Sequence, residues 1–82
     1  MFVVTEHQIN DIELFSRKAS TALGQPPAGL QLQTALLNKE SHCCQCIWEA
    51  ESVESVQNYL DPTLGDASVN LYYLLDPDSA IG

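Results

Sequence analysis

The densest group of reactive side chains in the chain is His42-Cys43-Cys44-Gln45-Cys46. On a β-strand, alternation would put His42, Cys44 and Cys46 on one face and Cys43 on the other. Residues two apart on such a face stand about 6.6–6.8 Å apart at the backbone, so two sulfurs reach one ion only by leaning together. Imidazole and thiolate suit zinc, nickel or cuprous copper, and a water or a residue from another strand would complete the site. Against this stands packing, because unpaired cysteine is a common small filler of cores. Packing is the expectation here, with no cofactor required and zinc, nickel or copper as the alternative.

His7 falls where a first strand would meet the loop into a first helix; a histidine there can take or give a proton near neutral pH, but the expectation is one hydrogen-bonded near the strand end. Trp48, Tyr72 and Tyr73 offer flat apolar faces to a small ligand, although core and interface packing would use them as well. With His7 they form the expected ligand-binding set. If the protein is an enzyme, His7 as base and Tyr72 are its candidate catalytic residues. Glu49, beside Trp48, must be exposed, paired or shifted in pKa, and an exposed edge or a subunit rim is expected. Asp76 and Asp78 flank Pro77 in a turn without the spacing of a calcium loop. The chain has no Gly-rich phosphate loop, no Ser-centred nucleophile elbow and no Cys-x-x-Cys pair.

The elements that must position these residues are few, because the chain has 82 residues. That length makes one domain, residues 1–82, burying only about 60–65% of its unfolded surface. Such thin cores gain support from disulfides, metals or a partner subunit. With 45% apolar and 17% charged residues the composition is that of a folded chain. Eleven acidic residues against three basic ones give a net charge of −8. Arg17, Lys18 and Lys39 are too few to neutralise a nucleic acid, and an anionic membrane surface would repel the chain. Of possible partners the field would favour cations or a basic patch, but the expectation is that the charge only keeps the protein soluble. No run approaches the roughly 20 apolar residues of a membrane helix, and Met1 to Thr5 is too short for a signal-peptide core. A cytoplasmic setting is expected, with its cysteines reduced.

Phe2-Val3-Val4-Thr5 predicts a strand to about His7. Asn10 as cap, Glu13 three residues later and Ile9 stapled onto Leu14 predict a helix start. Ile12, Phe15, Ala19, Ala22 and Leu23 follow at helical spacing, and Gly24 with Pro26-Pro27 ends the run. Leu30, Leu32, Thr34 and Leu36 then alternate with Gln31, Gln33, Ala35 and Leu37, and a polar turn at 38–41 joins this strand to another over His42 to Ala50. Ser52 predicts the cap of a second helix with Val53, Val56 and Leu60 inward and Tyr59 alongside, terminated by Asp61-Pro62. Ser68 to Leu75 is a last strand, with Val69, Leu71, Tyr73 and Leu75 on one face and Asn70, Tyr72 and Leu74 on the other.

The order βαββαβ predicts a ferredoxin-like α+β fold: a four-stranded antiparallel sheet with two helices on one face. Both faces of the last strand carry large apolar groups, so the helix-free side needs a cover. A second copy is the simplest, which predicts a homodimer.

The run Cys46 to Val56 and the following Tyr59-Leu60-Asp61-Pro62 resemble small bacterial proteins of the dimeric α+β barrel superfamily. The opening His7-Gln8-Ile9-Asn10-Asp11 and the closing 72–82 are similar too. More distantly, Cys44 to Ala50 resembles the Cys-x-Cys-apolar-aromatic-Glu-Ala segment of a family of small nickel-binding proteins. The resemblance implies a dimeric barrel, with a ligand cavity bordered by a histidine at the end of the first strand, here His7. Because such a fold hosts both enzymes and plain binding proteins, two functions follow as expectations. One is a non-catalytic dimer that binds a small molecule or a soft metal ion, or that serves as an interaction module. The other is a cofactor-independent enzyme of the monooxygenase or isomerase kind acting on a small apolar or aromatic substrate.

Overall fold

The structure is a computed structural model and describes residues 1–76. The turn expected at Asp76-Pro77-Asp78 and the tail after it extend outside the described residues. The elements are β1 (Phe2–Ile9), α1 (Ile12–Gly24), β2 (Gln31–Asn38), β3 (Cys43–Glu49), α2 (Val53–Leu64), a 3-10 turn (Gly65–Ala67) and β4 (Ser68–Leu74). The sheet order is β2-β3-β1-β4, with every neighbouring pair antiparallel. This is the ferredoxin-like α+β arrangement expected from the sequence.

Between sheet and helices lies the core. Helix α1 contributes Phe15, Ala19 and Ala22 and α2 contributes Val56, Leu60 and Leu64, the inward stripes that their three- and four-residue spacing dictates. Val3 and Ile9 of β1 and Cys44, Cys46 and Trp48 of β3 meet them from the sheet. The Tyr59 hydroxyl donates to the Ala22 carbonyl at 2.8 Å and ties the helices together.

Four local expectations are corrected. The cap of α1 is Asp11, which accepts from the Leu14 amide at 3.1 Å; Asn10, one residue earlier, donates its side chain to the Asp66 carbonyl instead. Helix α2 runs through Pro62 to Leu64, its last turn held by burial of Leu60 and Leu64 and by the Gly65 amide bonded to the Asp61 carbonyl. Strand β2 does not alternate strictly, because a bulge lies between Leu32 and Thr34. The extra residue, Gln33, reverses the faces after it, so that Ala35 and Leu37 join Leu32 on the helix side and Leu36 turns to the open side. Finally, His42 precedes β3 and has a positive φ of 55°. In this left-handed conformation, uncommon for a residue with a side chain, it ends the turn rather than beginning the strand.

Candidate functional site

Residues paired across antiparallel strands share a face, so the register resolves the sheet into rows. On the helix side, one row is Leu37–Cys44–His7–Asn70, the next Ala35–Cys46–Thr5–Tyr72, and the third Leu32–Trp48–Val3–Leu74. His7 and Tyr72, the catalytic candidates, therefore both point toward the helices. Trp48 does so as well and has no exposed surface, which corrects its assignment to a ligand pocket: it is a core residue. Tyr73 alone of the four expected ligand-binding residues faces the open side.

His7 is 2% exposed, and both its ring nitrogens are engaged. Nδ1 lies 2.6 Å from Asn70 Oδ1 and Nε2 lies 3.0 Å from the Thr5 hydroxyl. Asn70 donates its Nδ2 to Asp61 Oδ1 at 3.0 Å, which leaves its own Oδ1 as acceptor. The ring proton therefore sits on Nδ1, and Nε2 accepts from Thr5. Asp61 also accepts from the Tyr72 hydroxyl at 2.6 Å and from Gln57 at 3.3 Å. Burial pushes the Asp61 carboxyl up, but these three donors outweigh it and hold the group below the usual range. Burial, and then the Asp61 carboxylate that its hydroxyl bonds, push the Tyr72 hydroxyl up. The result is a fixed chain of hydrogen bonds from the core at His7 to the surface at Asp61.

Burial lowers the pKa of His7, against smaller upward effects of the Asn70 bond and the Asp61 charge. Unfolding restores the ordinary value of 6.5, so below that pH the unfolded chain takes up a proton that the folded one refuses. Stability is expected to be full above about pH 6.5 and to fall as pH drops, until His7 itself titrates in the folded protein. The slope is at most about 1.4 kcal/mol per pH unit for one proton. Asp61 acts separately, below its ordinary 3.8. Urea midpoints followed from about pH 7.5 to about pH 5 should decline for the native chain and much less for His7→Gln; equal slopes in the two would contradict this account.

The expected metal ligands do not come together. Cys44 and Cys46 face the helices with their sulfurs 3.9 Å apart, whereas His42 is exposed in the turn and its carbonyl accepts from the Ile9 amide at 2.7 Å. The Cys44 sulfur and burial together push the Cys46 thiol well up, so it stays protonated. Among the described residues no group of three or more His, Cys, Asp and Glu is placed to hold a metal ion. Cys43, facing the open side as alternation required, donates its thiol to the Ser41 carbonyl at 3.4 Å.

The open side of the sheet is the larger feature. Its central row, crossing all four strands, is Leu36–Gln45–Glu6–Leu71; Asn38–Cys43–Gln8–Val69 lies to one side and Thr34–Ile47–Val4–Tyr73 to the other. Val69 is 65% exposed, Leu36 64%, Leu71 58% and Tyr73 38%. The first two rows floor a trough of about 560 Å³, whose lining also takes in His7, Leu37, Cys44 and Asn70 of the intervening helix-side row. Glu6 stands in its middle, and its carboxylate, hydrogen-bonded to the Tyr73 hydroxyl, pushes that hydroxyl up. Glu6, Gln45 and Leu36 escape notice in the sequence: one acid among eleven carries no motif, and the face of Leu36 depends on the bulge. For Glu6 the one signal is alternation in β1, which sets it beside Val4 and Gln8.

Compared with known protein families, curated proteins and solved structures, the chain has no match in any of the three.

Proposed function

We propose that the protein is a non-catalytic binding module that works as a homodimer, two copies closing face to face over their open sheets around a small molecule. The observation that carries this reading is the exposure of Leu36, Val69, Leu71 and Tyr73 on one continuous face. Scattered exposed apolar residues need no explanation, but a face of them does. Covering each one stabilises by about 1–2 kcal/mol, and a two-fold pair gains every contact twice. The likeness to dimeric α+β barrels in the sequence points the same way.

Binding is favoured over catalysis because the polar atoms of His7 and Tyr72 face the helices and are already bonded to Thr5, Asn70 and Asp61. A small molecule is favoured over a soft metal ion because His42 stands apart from Cys44 and Cys46. The cytoplasm suits the three free thiols. Among the described residues no helix is long and apolar enough to cross a membrane.

Cys43 provides the test, since it is the one cysteine on the trough side. A disulfide reagent should label it readily in dilute protein and about tenfold or more slowly once the concentration exceeds the dissociation constant, because covering a thiol limits access to it. A labelling rate independent of protein concentration would count against the paired faces.

A further inference from the structure

Glu6 is the one charged side chain among the described residues lining the trough whose side chain faces it. Its flanking neighbours in the row, Gln45 and Leu71, and Leu36 beyond Gln45, bring no charge. None of Arg17, Lys18 and Lys39 lines the trough. Lys39 and Arg17 border the same hollow with Ile12, Glu13 and Ser16 of α1. The Lys18 ammonium lies against Gly65, at the end of α2, and the terminal ammonium of Met1 donates to the Ala50 carbonyl at 3.1 Å. None of these four positive charges lines the trough.

This matters once a second copy covers the face. Each Glu6 would then leave water with the Tyr73 hydroxyl as donor and no counter-charge. A carboxylate withdrawn in that way is strongly destabilising unless it is paired. A charge of −8 on each copy adds repulsion across the interface. A positive ligand would relieve both. Leu36, Leu71 and Val69 give the trough apolar walls, and its 560 Å³ is of the size that accepts an organic molecule. A hard divalent cation would require six or more oxygen ligands, which one carboxylate among amides and leucines supplies poorly.

We infer that the trough selects a small organic cation, a protonated amine on an apolar body, with Glu6 as its counter-ion. The ammonium sits at the Glu6 carboxylate beside the Tyr73 ring edge, and the apolar body lies along Leu36, Leu71 and Val69. The inference rests on the paired-face reading above and specifies what the closed pair holds.

Calorimetric titration with three probes of one shape tests it: phenethylammonium, 2-phenylethanol and phenylacetate. Wild-type protein should bind the ammonium about tenfold or more tightly than the other two. Glu6→Gln should lose that preference while sedimenting as a dimer at least as tight as wild type without ligand, because the uncompensated charge is gone. Equal affinity for the three probes, a preference retained in Glu6→Gln, or full displacement of phenethylammonium by an equal concentration of magnesium would overturn the inference. The three-probe comparison on wild type stands even if the variant folds poorly. A dimer that ignores probe charge, or binds none of them, overturns this inference alone; a chain that stays monomeric with every probe overturns the paired-face reading as well.

Discussion

Replacing Trp48 with Ala is expected to cost about 3–5 kcal/mol, the range for removing a fully buried large aromatic. Trp48 has no exposed surface and sits between Val3 and Leu32 in the row nearest the end of β3. Small domains hold about 5–15 kcal/mol in total, and an 82-residue core is thin, so much of the Ala variant should be unfolded at room temperature. Trp48→Phe should behave differently. Among the described residues the indole Nε1 has no hydrogen-bond partner, and removing an orphaned donor offsets part of the lost packing. Its cost should stay below about 1.5 kcal/mol, as for other swaps that keep most of the volume. Urea unfolding followed by circular dichroism reads both. An Ala variant that folds normally but no longer binds apolar probes would return Trp48 to the ligand-lining role suggested by sequence.

Leu36→Glu is expected to split the dimer without unfolding the subunit. Leu36 is 64% exposed in one copy, so the isolated chain should change by no more than about 0.5 kcal/mol. In the pair, two further carboxylates would be buried with no partner, and dimer affinity should fall by about 100-fold or more. Leu74→Glu is the matched control. It is exposed to a similar extent, 51%, but belongs to the helix-side row with Trp48 and Val3, so the pair should survive. Dissociation by both variants alike would show that added charge, and not this face, governs association.

Much of the fold was legible because its signals are local. The stripe of Phe15, Ala19 and Ala22, the stop at Gly24 and the Ser52 cap with its bond to the Ser55 amide need only neighbours within a turn or two. What escaped depends on partners distant in sequence. Asp11 rather than Asn10 caps α1 because Asn10 is drawn to Asp66, 56 residues away. Pro62 reads as a stop, yet tertiary burial of Leu64 carries the helix past it. The bulge at Gln33 is fixed by pairing with β3, and no residue in β2 announces it. Its effect on the open face is large, since it decides that Leu36 and not Leu37 shares the row of Glu6. The His42/Cys44/Cys46 face assumed strand geometry one residue too early, and the positive φ of His42 breaks it. His7 is legible by type and position as a hydrogen-bonded histidine near a strand end, but its partners are not, because Asn70 and Asp61 meet it only through β4 and α2.

The pairing of open sheet faces underlies both the binding module and its preference for a cation, and sedimentation equilibrium of the untagged wild-type chain tests it most directly. At micromolar concentration the chain should sediment as a species of twice its 9.0 kDa mass, returning to the single-chain mass in Leu36→Glu. A wild-type mass of 9.0 kDa that persists as concentration is raised about 100-fold above the micromolar range, where even a weak pair would form, would contradict it.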